Sequence, residues 1–261
     1  MQEEVGREAA GTCAIAVMAK ASIPGRSKTR LVPPLTPPEA ADLNTMFLRD
    51  AADSILAAAQ LASVKGWMAY APAGSGDFFK NNLPASISLI ETVAPDLGAC
   101  LLRAAQTLLS AGHAAVCLIN SDSPTLPVGH LVAAAAALAT PGDRIVLGPA
   151  TDGGYYLIGM KQPHHGLFKA IDWSTDGVFR QTLDRAEQLA LPVYELPAWY
   201  DVDDAATLRV LVGELLEGRP YRTGGSKPAA ATWTQSYLAN LQENADLAAR
   251  LDGAQPSSCV A

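Results

Sequence analysis

From Cys13 to Met18 the chain reads CAIAVM, with no polar side chain. Largely apolar runs return at VKGWMAY (64–70), ISLIETV (87–93), AAVCLIN (114–120), RIVLGPA (144–150) and YYLIGM (155–160). Short runs of this kind suit strands buried on both faces of a sheet. LPVYELP (191–197) reads as one more strand. Between them lie segments of helical spacing: Pro37 to about Gln60, then 98–111, 129–139, 175–190 and 204–216. Pro37, Pro38 and Glu39 open the first of these, since proline is tolerated in a first turn and an acid there meets the positive end of the helix dipole. Strands alternating with helices of this length predict an α/β fold, a mostly parallel central sheet flanked by helices on both faces.

The pattern also predicts the organisation of the chain. Residues 1–12 read as a flexible tail and 13–217 as one domain. Residues 218–232 shift to Gly, Pro, Ser and Lys and read as a linker. Residues 233–261 read as a C-terminal helix and tail, with Trp233, Tyr237, Leu241 and Leu247 or Leu251 along one side. That side would dock on the main domain or on a second copy of the chain, giving a homodimer.

Composition narrows the function classes. Of 261 residues, 49% are hydrophobic and 17% charged, which excludes wholesale disorder. The net charge of −7 argues against a nucleic-acid partner, which needs a broad basic face. The N-terminus, MQEEVGREAAG, lacks the basic start of a signal peptide, and the longest apolar stretch, Leu131–Ala139, is half a membrane span. The expectation is a cytoplasmic protein with no membrane partner. Cys13, Cys100, Cys117 and Cys259 are too scattered for a metal knuckle or a redox pair, so a reducing compartment without a disulfide framework is expected.

In open α/β sheets, ligands bind beyond the carboxyl ends of the strands. Four loops there carry chemistry. GRSKTRL (25–31) offers a turn at Gly25, three cations (Arg26, Lys28 and Arg30) and two hydroxyls (Ser27 and Thr29), a mix that suits phosphate. It lacks the glycine and lysine spacing of a Walker loop. Asp122, in NSDSP, directly follows a wholly apolar strand and offers the hard oxygens that Mg²⁺ or Mn²⁺ prefers, or else it caps the next turn. Asp152-Gly153-Gly154 reads as a hairpin turn or as a place where backbone approaches a ligand. Asp201 and Asp203 alternate on an extended segment and could join Asp122 around one divalent ion, with Asp204 left to cap the final helix of the domain.

Other features are ordinary. His164-His165 reads as a surface turn, no G-x-S-x-G elbow surrounds Ser123, and no G-x-G-x-x-G follows the first strand. Trp67, Trp173, Trp199 and Trp233 read as core residues.

Taken in order, KASIPGRSKTRL, PDLGACLLRAAQ, NSDSPTLP, GPATDGGYYLIG, IDWSTDGVFRQTL and YDVDDAATL resemble the motifs of GT-A-like transferases. The resemblance is to an uncharacterised family labelled as glycosyltransferases associated with radical-SAM or arsenosugar clusters. The chain is also similar to the 2-phospho-lactate guanylyltransferases and, more distantly, to the molybdenum-cofactor nucleotidyltransferases. The match covers roughly residues 13–212. Asn120 stands where glycine is usual, and DDAATL is a loose version of the acidic-Pro helix entry.

The resemblance implies a GT-A, nucleotide-diphospho-sugar transferase fold. It implies nucleotide contacts from Ala19, Lys20, Gly25, Lys28, Arg30, Leu97, Gly98 and Ser121, with Lys28, Arg30 and Asp122 as the catalytic set. Metal ligation falls to Asp122, Asp201 and Asp203, and the acceptor side to Asp152, Gly153, Gly154, Trp173 and Thr175. The cofactor implied is Mg²⁺ or Mn²⁺, and the partners are a nucleoside triphosphate or nucleotide sugar and a small-molecule acceptor. The basic loop favours nucleotidyl transfer. Glycosyl transfer from a nucleotide sugar and a non-catalytic nucleotide sensor are the alternatives.

Overall fold

The computed structural model describes residues 9, 11–221 and 225–253. Most of the 1–12 tail, Cys259 and the end of the chain lie outside them. Among the described residues, seven strands form one sheet: β1 (Cys13–Lys20), β2 (Val64–Ala71), β3 (Ser88–Glu91), β4 (Ala115–Ile119), β5 (Ile145–Pro149), β6 (Tyr155–Met160) and β7 (Val193–Glu195), in the order β3-β2-β1-β4-β6-β5-β7. All pairings are parallel except those of β6, which runs antiparallel to both β4 and β5. The fold is therefore the expected mostly parallel α/β sheet. The GG segment joins β5 to β6 as a hairpin, so its tip lies beside the carboxyl end of β4.

The helices are α1 (Pro37–Ala59), α2 (Gly76–Asn82), α3 (Leu97–Ser110), α4 (Val128–Ala139), α5 (Val178–Gln188), α6 (Ala205–Leu216), α7 (Thr232–Ala245) and α8 (Leu247–Gly253). The alternation along β1 shows why its run is unbroken. Cys13, Ile15, Val17 and Ala19 face a core built with residues of α1, α4, α6 and α7, and Ala14 and Ala16 face a second core with residues of α3. Burial on both faces leaves no position for a polar side chain. Cys13 and Cys117 meet across β1 and β4 as free buried thiols, 3.7 Å between sulfurs.

Local signals fix the helix starts. Thr36 and Glu39 form a capping box at α1, Asp96 caps α3, and Asp204 caps α6 in a box with Thr207. The C-terminal segment departs from the single helix expected. Asp246, in left-handed conformation, separates α7 from α8. The buried side of α7 carries Thr234, Leu238 and Leu241, whereas Trp233 is 43% exposed. The reason is Asp50 of α1, whose carboxylate accepts the Trp233 and Thr234 amides at 3.0 and 2.9 Å and so caps α7 from a neighbouring helix. This rotation sends the Trp233 indole outward to Asp53, over the Arg49 guanidinium. Both helices pack on the domain itself. Arg250 of α8 forks onto Glu39 at 3.0 and 2.5 Å.

Candidate functional site

The loop after β1 is held from beneath by α1. Asn44 Nδ2 donates to Ser22 Oγ at 2.9 Å, and Thr45 Oγ1 donates to the same oxygen at 2.8 Å. The Ile23 carbonyl accepts the amides of Arg26 and Ser27, and the Ile23 amide donates to Ser27 Oγ at 2.9 Å. Gly25 (φ +74°) closes this turn in a conformation that suits glycine. Lys28 also takes a left-handed backbone (φ 49°) and its side chain turns inward, leaving it 5% exposed. Its Nζ lies 2.7 Å from Asp122 Oδ1, 2.7 Å from the Val202 carbonyl and 3.3 Å from Asp203 Oδ1. The Phe47 ring sits beneath it, 5.3 Å away.

The acids converge because three chain segments meet at the end of β4. Asp122 follows that strand, receives the Ser121 hydroxyl at 3.0 Å, and accepts the Val202 amide on its backbone carbonyl at 2.9 Å. The 199–203 segment runs beside the end of β5, bridged between Ala150 and Trp199. The hairpin tip brings Asp152. One carboxylate oxygen each from Asp152, Asp201 and Asp203 lie within 4.8 Å of one another. Asp201 is only 8% exposed, and no described side chain donates a hydrogen bond to it. Burial first, then the charges of Asp152, Asp203 and Asp122, push its carboxyl up to about 7. A buried carboxylate facing like charges with no side-chain donor is a site that a divalent cation would neutralise, and an all-oxygen set suits Mg²⁺ or Mn²⁺.

The far side is braced by tight contacts. Gly153 (φ +92°) is so close to the 176–179 segment that a Cβ would fall on the Asp176 carbonyl oxygen. Its own carbonyl accepts the Phe179 amide at 2.9 Å. A Cβ on Gly98 would stand 2.8 Å from the Trp173 indole, so a small residue at the start of α3 is what lets Trp173 lie there. Thr175 Oγ1 donates to the Asp172 carbonyl at 2.7 Å, and Ser174 between them is left-handed (φ 66°).

These elements enclose a cleft of about 660 Å³. From the end of β1 and the loop after it, Lys20, Lys28 and Arg30 line it. Leu97, Ser121 and Asp122 follow, with Asp152, Gly154 and Asp203 beyond them and Trp173 with Thr175 on the far wall. Gly98, Gly153 and Asp201 stand behind this lining as supports. Ala19 points its methyl into the core, and Gly25 is on the outer turn with open space around it. The acids divide differently from the expected trio. Asp152 is the neighbour of Asp201 and Asp203, while Asp122 is the partner of Lys28.

Asn44, Tyr155 and Asp176 line the cleft and were not singled out by the sequence. A polar residue on the buried face of α1 was the available signal for Asn44. Tyr155 and Asp176 fall within the GPATDGGYYLIG and IDWSTDGVFRQTL motifs, but no local pattern assigns either a role. Asp152 was legible as a loop acid, but its place beside Asp201 follows only from the antiparallel run of β6.

By its likeness to solved structures, the fold is that of the nucleotide-diphospho-sugar transferases. The family described as an uncharacterized protein conserved in bacteria (DUF2064) matches residues 54–175. The chain is similar to a solved structure from Desulfovibrio desulfuricans, provisionally described as a nucleotide-diphospho-sugar transferase: 27% identity, TM-score 0.77, covering 92% of this chain and 98% of that one. CMP:2-keto-3-deoxy-manno-octonic acid synthetase in complex with CTP shares the fold at 12% identity and TM-score 0.50, over 80% of this chain and 100% of that one. A cytidylyltransferase from Leptospira borgpetersenii does so at 12% identity and TM-score 0.50, over 94% and 99%. No curated protein matches the sequence. Among the described residues, no helix is long and apolar enough to cross a membrane.

Proposed function

We propose that the protein is a divalent-metal-dependent transferase that binds a nucleotide through its phosphates and passes one part of it to a small acceptor. The observation that supports this best is the meeting of Lys28 with Asp122 and Asp203, in a cleft also lined by Lys20, Arg26 and Arg30. Cations alone would hold phosphate and acids alone would hold a metal. Both in one cleft suit a metal-neutralised polyphosphate.

Asp152, Asp201 and Asp203 would hold Mg²⁺ or Mn²⁺, which when bound supplies Lewis acidity and charge neutralisation. Lys20, Arg26 and Arg30 bind the phosphate oxygens. Asp122 holds the Lys28 ammonium in place at 2.7 Å. In the nucleotidyl reading, an acceptor oxygen forms a bond to the α-phosphorus, the bond to the bridging oxygen breaks, and pyrophosphate leaves with that electron pair. Arg30 and Lys28 stabilise the charge on the leaving group. No protein nucleophile is needed. Trp173 and Thr175 give the acceptor a flat wall and a polar edge beside Asp152 and Gly154.

The number of cations on the first loop favours nucleotidyl transfer. Glycosyl transfer is the second reading, favoured by the similarity to the Desulfovibrio protein. Incubation with Mg²⁺, each nucleoside triphosphate and a metabolite pool separates them. Pyrophosphate release supports the first. Nucleoside diphosphate release from a nucleotide sugar supports the second. Ligand binding with neither product would mean a sensor.

A further inference from the structure

We propose that Lys28 couples metal binding to phosphate binding: it is the resident counter-ion of Asp122 and Asp203 and shares Asp203 with the metal site. The inference rests on the metal-site reading above and goes beyond it.

An ammonium has three N–H donors. Lys28 Nζ has three oxygen neighbours, Asp122 and the Val202 carbonyl at 2.7 Å each and Asp203 at 3.3 Å. In this arrangement it has no donor left for a phosphate. The longest of the three contacts goes to Asp203, the one acid that belongs both to the lysine and to the Asp152–Asp201–Asp203 group. Lys20, Arg26 and Arg30 line the same cleft but make no ion pair with these acids among the described residues. Lys28 is therefore the cation that a metal ion meets on arrival.

Two consequences follow from charge alone. A metal ion entering without phosphate is repelled by a buried ammonium beside one of its own ligands. An ion that takes Asp203 withdraws the lysine's weakest contact and frees one N–H, while Asp122 and Val202 keep the side chain tethered. A phosphate that engages this N–H relaxes the repulsion in turn. Each ligand thus improves the site for the other, and such coupling is reciprocal.

The test is Mn²⁺ titration by calorimetry of the full chain, wild type against Lys28→Met and Lys28→Gln, with and without saturating inorganic phosphate. Met keeps the stem over Phe47, Gln keeps a polar tip, and circular dichroism checks that each variant is folded. Without phosphate, both variants bind Mn²⁺ at least about tenfold more tightly than wild type. Phosphate tightens Mn²⁺ binding to wild type and has little effect on the variants. Unchanged or weaker Mn²⁺ binding by both variants, or an undiminished phosphate effect in them, overturns the coupling and leaves the metal site standing. Absence of Mn²⁺ binding by all three proteins overturns the metal site as well.

Discussion

Lys28 Nζ and Asp122 Oδ1 lie 2.7 Å apart, although 94 positions separate them in the chain. The pair joins the loop after β1 to the loop after β4, adjacent strands of the sheet, and so closes the floor of the cleft. The lysine side chain is 5% exposed and the aspartate 31%, so the ammonium depends on this partner more than the carboxylate does. Asp122→Asn keeps the shape and removes the charge. Turnover is expected to fall about 10²–10³-fold. Stability should fall by ~1–3 kcal/mol, less than for a fully buried pair because Asp122 is partly solvated. Product release assays and urea unfolding measure the two effects. A variant with full activity would remove Asp122 from the machinery.

Asp201 makes the opposite prediction for stability. Its carboxyl is raised to about 7 by burial and by Asp152, Asp203 and Asp122, so the folded state holds that proton more tightly than the unfolded chain does. For such a group stability is greatest at low pH and declines as pH rises from the ordinary carboxylate range through about 7. Asp201→Asn should therefore melt higher than wild type at pH ~8 in the absence of metal, and the gap should close near pH ~4. Added Mn²⁺ should raise the wild-type melting temperature and leave the variant unmoved. A variant that melts lower than wild type at the higher pH contradicts the repulsion argument.

These acids show where the sequence is informative. The apolar runs at CAIAVM and AAVCLIN could be read as strands because both faces of each are buried, and the residue after each then fell at the ligand edge. Asp204 was legible as a cap because capping depends on neighbours three positions away. The pairing of Asp152 with Asp201 was not legible, since it depends on β6 reversing direction. Trp233 was placed on the wrong side of its helix because Asp50, far away in the chain, sets the rotation of α7. Local periodicity carries no information about a cap supplied by another helix.

Gly153 tests the far wall. Its φ of +92° and the Asp176 carbonyl both exclude a side chain. Gly153→Ala should cost ~2–4 kcal/mol, from the strained backbone and from displacement of the 176–179 segment. Gly98→Ala meets only a side chain, the Trp173 indole, and should cost less while still shifting the acceptor wall. Urea midpoints of the two variants rank the costs. Equal midpoints would mean that the hairpin tip yields as easily as the indole.

The docked C-terminus gives a last test, separate from the chemistry. The fork from Arg250 holds the Glu39 carboxyl down, to about 2, against the opposing pull of burial. A carboxyl lowered in the folded state adds stability that is fully present above its unfolded value, 4.5, and is lost as pH falls through about 2. Glu39 also completes the capping box of α1, so its charge serves two helices at once. Arg250→Ala should lower the unfolding midpoint at pH ~6, and the difference from wild type should shrink steadily below pH ~4. A nonspecific protease should then cut the α7–α8 segment faster than in wild type, because α8 is tied to α1 through this fork and to α6 through the Arg209 guanidinium on the Leu251 carbonyl. A pH-independent difference would assign the loss to the packing of the Arg250 stem, and an unchanged cleavage rate would show that Leu247 and Leu251 hold the segment without the ion pair.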